Sequence, residues 1–166
     1  MTIDCERQIF TELAATEALA LTANGSLLEQ SLLYSQTTAP LATTAQFPVP
    51  ITGLAFALPA HTAAYGSAIV TLSLPDLYLT GPGLCGRSLG GVVYVKVDGV
   101  VAAERRISAK ALSGGAGNCR KPMTIVVKIE LDSTAQRVEA AWQGIRNSTI
   151  TMDDFGCISA MLLKTE

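Results

Sequence analysis

Charged residues are scarce in this chain of 166 residues, and none of the signs of a nucleic-acid or membrane protein is present. Only 16% of the residues are charged, and the formal net charge is −2. Without a basic excess, the chain offers no stripe of lysine and arginine to phosphates or anionic lipids. Ser, Thr, Gly or Pro interrupts every apolar stretch before it reaches the length of a membrane-spanning helix. We therefore expect neither nucleic-acid binding nor membrane insertion.

Histidine is nearly absent, and this argues against the common catalytic and metal sites. His61 is the only one, and the cysteines lack the paired spacing of a zinc site; they are Cys5, Cys85, Cys119 and Cys157. No Ser/His/Asp or Cys/His set is recognisable. Adjacent Asp153 and Asp154 point to opposite faces of an extended segment, so they form no catalytic carboxylate pair. We expect a protein that is not an enzyme and that needs no metal or cofactor.

The cysteines have two open interpretations. A cysteine in a domain of this size is most often a small buried apolar side chain, which suits Cys157 between Gly156 and Ile158. Cys85 and Cys119 differ because both lie in glycine-rich loops. Either they are buried thiols, or they form a disulfide that joins the two loops.

Residues 1–46 differ in composition from the rest and are interpreted as an N-terminal extension, either a helix or an arm. The acids and leucines of its first part predict a helix from about Asp4, as the cap, to Leu19. Acidic residues also stand where a secretory leader would carry positive charge, so secretion by the usual leader is not predicted. The location stays open, and we expect synthesis in the cytoplasm and action at a cell surface or outside the cell.

From Phe47 to the end, the sequence reads as many short strands. Alternating or apolar runs occur at 53–58, 68–74, 92–97, 100–107, 123–131, 137–145 and 157–163. Asp98-Gly99 predicts a tight hairpin, and Pro75 is expected to end the strand before it. With no helices between the strands, we predict an all-β antiparallel sandwich over residues 47–166.

The apolar content is high, since 49% of the residues are hydrophobic. Either an alanine-rich core absorbs this excess, or part of it is covered in a symmetric oligomer. In the strand at 123–131, Ile125, Ile129 and Leu131 share one face with Val127. The opposite face becomes polar only at Lys128 and Glu130, so a partner is expected over Thr124 and Val126.

Four blocks carry a resemblance to a known family. They are LSLPDLYLTG at 72–81, GVVA at 99–102, RKPMTI at 120–125 and WQGIR at 142–146. In order and spacing they resemble the TNF-like fucose-binding domain of bacterial superlectins, over about residues 47–163. The resemblance implies a jelly-roll fold, a homotrimer, and calcium-independent binding of fucosylated glycans in clefts between protomers.

The resemblance also implies a site shared by two protomers. Tyr78 and Arg120 match positions from one protomer, and Tyr94 and Arg146 match positions from its neighbour. Asn118, beside Arg120, does not match and is expected to replace a lost hydroxyl contact in the same half of the site. Arginine presents several fixed donors to sugar hydroxyls, and tyrosine offers a ring face and a phenol group.

Four positions depart from the family pattern. Ser108 stands where the family has a third tyrosine, and Gly117-Asn118 replaces a Ser-Thr pair. Cys119 replaces a glycine; paired with Cys85, it would fix the loop that carries Arg120.

Each matched residue also has an ordinary structural explanation. Arg120 would pair with an acid, for which Asp76, Asp153 and Asp154 are candidates, and Tyr94 would pack on its sheet. Trp142 is predicted to be a core residue. The alternative function is therefore a structural or adhesin-type trimer of the same fold that has lost sugar binding.

Overall fold

The computed structural model describes residues 19–23, 26–30, 32–38, 40–81, 86–111 and 120–165. All regular elements in these ranges are β-strands. The predicted helix falls outside them except for Leu19, which begins the first strand. The strands are β1 (Leu19–Ala23), β2 (Ser26–Gln30), β3 (Leu32–Gln36), β4 (Leu41–Thr43), β5 (Val49–Leu58), β6 (Tyr65–Thr80), β7 (Ser88–Val97), β8 (Val100–Lys110), β9 (Lys121–Glu130), β10 (Gln136–Ile145), β11 (Thr149–Met152) and β12 (Cys157–Lys164).

Eight strands form the two layers of a sandwich. One sheet has the order β5-β10-β7-β8, and the other contains β3-β12-β6 with β9 on the far side of β6. Every pair is antiparallel, and β11 and β4 extend the second sheet beyond the end of β12. Each sheet combines strands from the start, middle and end of the chain, which is the double Greek-key winding of a jelly roll. The predicted antiparallel jelly-roll sandwich is confirmed.

The core lies between the two sheets and follows the alternation of the strands. Leu72 and Leu74 of β6 and Val93 and Val95 of β7 belong to one apolar cluster, and all four are fully buried. Burial of each such side chain contributes about 2 kcal/mol. Trp142 is buried in the same core, as predicted.

The prediction that Pro75 ends a strand is wrong, because β6 runs through it to Thr80. The register against β9 shifts between Leu74 and Leu77, so the proline lies in an irregularity where its missing N–H disturbs no ladder. The β6 residues that face the core are consequently even-numbered before Pro75 and odd-numbered after it. Tyr78, expected on a loop, is therefore on β6 and points away from the core.

The hairpin between β7 and β8 is confirmed. Asp98 and Gly99 both have positive φ, 49° and 81°, which two-residue hairpins of this kind require. Asp98 also accepts a hydrogen bond from the Arg137 N–H at 2.8 Å, and so joins the turn to β10.

The predicted inward face of β9 is confirmed, since Ile125, Ile129 and Leu131 are buried and Val127 packs against the core. Val126 is 62% exposed on the other face. Whether a partner covers it stays a prediction. Cys157 is half-buried and not disulfide-bonded, and it faces away from the core rather than filling it.

β3 and β4 precede Phe47 and pair with β12 and β11 of the sandwich. The division of the chain into residues 1–46 and 47–166 stays a prediction.

Candidate functional site

The first group of site residues lies on the outer face of the larger sheet. Tyr78 projects from β6, and Arg120 precedes β9, which pairs with the other edge of β6. The Arg120 guanidinium carbon lies 4.9 Å from the centroid of the Tyr78 ring. This is the distance of a cation–π contact, so the predicted proximity of these two residues within one protomer is present.

Two aspartates complete this group. Arg120 donates from Nη2 to Asp153 Oδ2 at 2.7 Å and from Nη1 to Asp76 Oδ2. The Tyr78 hydroxyl donates to the other oxygen of Asp153 at 3.2 Å. Asp76, Tyr78, Arg120 and Asp153 are named the β6 cluster here. The ion pairs predicted for Arg120 are thus present, with Asp76 and Asp153 rather than Asp154.

The register shift at Pro75 creates the β6 cluster. It turns Asp76 and Tyr78 to the same outer face, while Leu77 and Leu79 enter the core. β11 ends at Met152 opposite Leu77, which brings Asp153 alongside Asp76.

The β6 cluster presents both donors and acceptors to solvent. Hydrogen bonding to Asp153 is the first cause that raises the pKa of Arg120, and the carboxylates add to it. The Arg120 side chain is nevertheless 59% exposed, so its outer N–H groups remain open to a ligand. Carboxylate oxygens have more lone pairs than the guanidinium uses, so they can also accept from hydroxyl groups. The cluster carries one positive and two negative charges and suits a neutral polyol better than an anion.

The second group lies on the outer face of the other sheet. Tyr94 of β7 is only 8% exposed and packs with Val92, Ala141 and Ile145. Burial raises its pKa, Glu104 raises it further, and Arg106 lowers it. Tyr94 therefore packs on its sheet, as its ordinary explanation predicted, and only a small part of the residue is exposed.

Ser108 shares this face. It lies on β8 opposite Gly90, which in turn lies opposite Ile145 of β10. Its side chain is exposed.

Arg146 occupies a strained position in the turn between β10 and β11. Arg146 and Asn147 have φ of 60° and 59°, and the Ser148 N–H donates to the Ile145 carbonyl at 3.2 Å. Two consecutive left-handed residues closed by this bond form a type I′ turn. The Arg146 side chain is exposed and has no hydrogen bond or ion pair with another described residue.

A distant residue holds this turn. Gln46 accepts from the Asn147 N–H at 3.0 Å, and its Nε2 lies 3.4 Å from the Ser148 carbonyl. Gly144 also donates to the Ala45 carbonyl at 2.8 Å. Sequence reasoning missed Gln46, because its partners lie about a hundred residues away and no local pattern marks it.

Within one chain, the two groups do not form one pocket. Tyr78 and Tyr94 point away from the core on opposite outer faces of the sandwich. One surface depression of about 620 Å³ is lined by Gly66, Lys128 and Lys164 among others, and a second lies beside Phe56 and Arg137. Neither contains a predicted site residue. Asn118, Cys85 and Cys119 lie outside the described residues, so the disulfide between Cys85 and Cys119 stays a prediction.

The strand order and the two residue groups can be compared with known proteins. A family model described as the Bc2l-C N-terminal domain matches residues 38–161. The chain belongs to this family. The family comprises TNF-like lectin domains of superlectins, so the resemblance of the sequence blocks is confirmed and the chain is a carbohydrate-binding domain. It is a family of lectins rather than of enzymes.

Several solved structures match this chain at low identity. PorU from Porphyromonas gingivalis is 10% identical with a TM-score of 0.46; the match covers 80% of this chain and 13% of PorU. Eiger TNF from S. frugiperda is 8% identical with a TM-score of 0.42, covering 80% and 92%. The EclA C-terminal domain, described as a sugar-binding protein, is 14% identical with a TM-score of 0.35, covering 95% and 97%. All three scores are below 0.5, so the jelly-roll assignment of this lectin domain rests on its own strand order. No match is found among curated proteins.

Metal-binding clusters and membrane-spanning helices are both absent from the described ranges. These ranges contain no group of three or more His, Cys, Asp or Glu side chains arranged to hold a metal ion. They also contain no helix long and apolar enough to cross a membrane.

Proposed function

We propose that this protein is a lectin that binds fucosylated glycans, without calcium, in clefts between the protomers of a homotrimer. The observation that carries this proposal is the division of the matched residues between two outer faces of one chain. Tyr78 and Arg120 lie together on one sheet, whereas Tyr94 and Ser108 lie on the other. A site that uses both groups requires a second copy of the chain.

The chemistry of both groups suits a neutral sugar. The β6 cluster supplies an aromatic ring, guanidinium donors and carboxylate acceptors. Arg146, exposed in a fixed turn, supplies donors that no described residue occupies. Because each hydroxyl contact replaces one to water and contributes only about 1 kcal/mol, affinity for a single sugar is weak. Three sites on one trimer compensate by avidity on a glycan-bearing surface.

Assembly has a candidate surface on the larger sheet. The cross-strand registers place eleven uncharged side chains on its outer side, and these eleven are named the uncharged face here. They are Leu32, Tyr34, Gln36, Ile69, Thr71, Ser73, Thr124, Val126, Cys157, Ser159 and Met161. Lys128, which lies opposite Ile69, marks one edge of this face. Four of the eight exposed large apolar side chains of the described residues lie there, which favours burial against another protomer.

The proposal is tested by titrating methyl fucoside and a fucosylated oligosaccharide by calorimetry. We expect binding that is unchanged by EDTA and lost in Arg146→Ala, while the oligomer and its thermal unfolding remain as in the wild type. Absence of binding by the wild type at millimolar sugar would overturn the proposed lectin function.

The alternative is a structural or adhesin-type trimer of the same fold without sugar binding. Two observations favour it: both Arg120 terminal nitrogens already contact carboxylates, and Tyr94 is nearly buried. Under this alternative, the trimer forms and every sugar titration is flat.

A further inference from the structure

An exposed aromatic residue lies beside the β6 cluster, and neither the sequence pattern nor the family match assigns it a role. Phe155 is in the loop between β11 and β12 and is 53% exposed. Single exposed apolar residues are common at protein surfaces and need no explanation by themselves. The position of Phe155 relative to the cluster is what distinguishes it.

The strand registers fix that position. β11 ends at Met152 opposite Leu77, and β12 begins at Cys157 opposite Ser73. The loop at 153–156 therefore runs along the irregular part of β6, where Asp76 lies. Phe155 follows Asp153 by two residues, which is at most about 7 Å of backbone. Asp153 itself contacts both Arg120 and Tyr78.

The backbone on both sides of Phe155 is held in place. Gly156 donates to the hydroxyl of the buried Thr37 at 3.0 Å, and the Thr37 N–H donates to the Gly156 carbonyl at 2.9 Å. The Phe155 N–H donates to Asp154 Oδ1 at 2.7 Å. A side chain added at Gly156 would meet Leu74 and Met152 at 2.7 and 2.9 Å, so the loop is pressed onto the core. The aromatic ring is thus exposed on a fixed support, which lowers the ordering cost of binding.

We propose that Phe155 is a second aromatic contact for the glycan and packs against the apolar face of the sugar unit next to the one held at Arg120. This inference rests on the proposed lectin function. Asp153 contacts Arg120 and Tyr78, and Phe155 follows it by two residues, so a sugar held at Arg120 would have its next unit on the side of the Phe155 ring. The inference requires an oligosaccharide with at least two units at this site.

The test compares a monosaccharide with an oligosaccharide. Kd values for methyl fucoside and for a fucosylated disaccharide and trisaccharide are measured by calorimetry on the wild type, Phe155→Ala and Phe155→Tyr. In Phe155→Ala, we expect oligosaccharide affinity to fall by about 3- to 10-fold, the range of an aromatic packing contact, with methyl fucoside unchanged. Phe155→Tyr, which keeps the ring, should bind both as the wild type does.

A matched control is Val100→Ala in the β7–β8 hairpin. Val100 is 71% exposed and lies at the opposite end of β7 from the Arg146 turn. Its replacement should leave both affinities unchanged.

The outcomes separate this inference from the proposed function. If the wild type binds no sugar, both fail. If it binds the oligosaccharides and Phe155→Ala binds them equally well, only the role of Phe155 is overturned and the lectin function stands. If Phe155→Ala changes the oligomeric state by light scattering, or weakens methyl fucoside to the same degree, Phe155 supports the structure and the inference is also overturned.

Discussion

The two arginines of the proposed site, Arg120 and Arg146, are positioned in different ways. Arg120 is oriented by two carboxylates and a tyrosine ring, so its position is set before a ligand arrives. Arg146 is placed by its backbone, since the left-handed turn directs it outward. The sequence could name acids near Arg120. It could not choose between Asp153 and Asp154, because that choice depends on where β11 ends.

The backbone of Arg146 leads to a prediction about stability and function. A residue with a Cβ in the left-handed region costs about 1–2 kcal/mol, and glycine avoids this cost but loses more entropy on folding. We expect Arg146→Gly to raise the free energy of unfolding by about 0.5–1 kcal/mol in urea titrations. Because the guanidinium is removed, glycan binding should be lost at the same time.

Asn147→Gly is the control at the neighbouring position. Asparagine tolerates the left-handed region better than arginine, and Asn147 has no assigned contact with sugar. This variant should show a smaller gain in stability and full glycan binding. Loss of stability in Arg146→Gly would mean that the arginine side chain contributes to the fold.

Among the secondary-structure elements, local sequence patterns correctly predicted the features that depend only on neighbouring residues. The Asp98-Gly99 hairpin and the inward face of β9 follow from turn residues and alternation. The course of β6 through Pro75 could not be predicted, because whether a proline ends a strand depends on the register of the neighbouring strands. That one irregularity brings Asp76 and Tyr78 to a common face.

The pairing of β3 with β12 leads to a prediction about pH. Burial is the first cause that raises the pKa of the Cys157 thiol above its ordinary 9.0, and a hydrogen bond from Tyr34 lowers it in part. Burial also comes first in raising the pKa of Tyr34 above 10.0, followed by Cys157. The folded state therefore holds these protons more tightly than the unfolded chain. Their contribution to stability is complete below pH 9.0 and is lost as the pH rises through the folded-state values.

We accordingly expect the urea midpoint to fall as the pH rises above 9.0. Cys157→Ser should reduce the slope, since serine does not titrate in this range. A midpoint that is constant or rises over the same pH interval would show that these groups are no harder to deprotonate in the folded protein.

For the whole molecule, the two outer faces of the sandwich have separate roles in the proposed assembly. The larger sheet carries the uncharged face and, beyond it along β6, the β6 cluster. The smaller sheet carries Tyr94 and Ser108, and the Arg146 turn lies at its end. The family and the jelly roll were predictable from the order of sequence blocks. The packing of Tyr94 on its sheet was predicted only as the alternative to a sugar contact. The sequence could not decide between the two, because the burial of Tyr94 depends on Val92, Ala141 and Ile145, which come together only when β7 and β10 pair.

A shared site predicts that two inactive variants restore each other. Arg120→Ala and Arg146→Ala chains each lack one half of every site, so neither alone should bind sugar. In a mixed trimer, one boundary joins an intact Arg120 to an intact Arg146. Random assembly of equal amounts should therefore restore about one quarter of the sites, measured as binding stoichiometry by calorimetry after refolding the two chains together. The control places a charge on the uncharged face. Thr71→Lys in both chains should abolish the restoration, whereas Thr134→Lys in an exposed loop should not.

Two outcomes would show that the two arginines do not act across one boundary. Either variant could bind sugar by itself, or mixing could restore no binding although mixed trimers form.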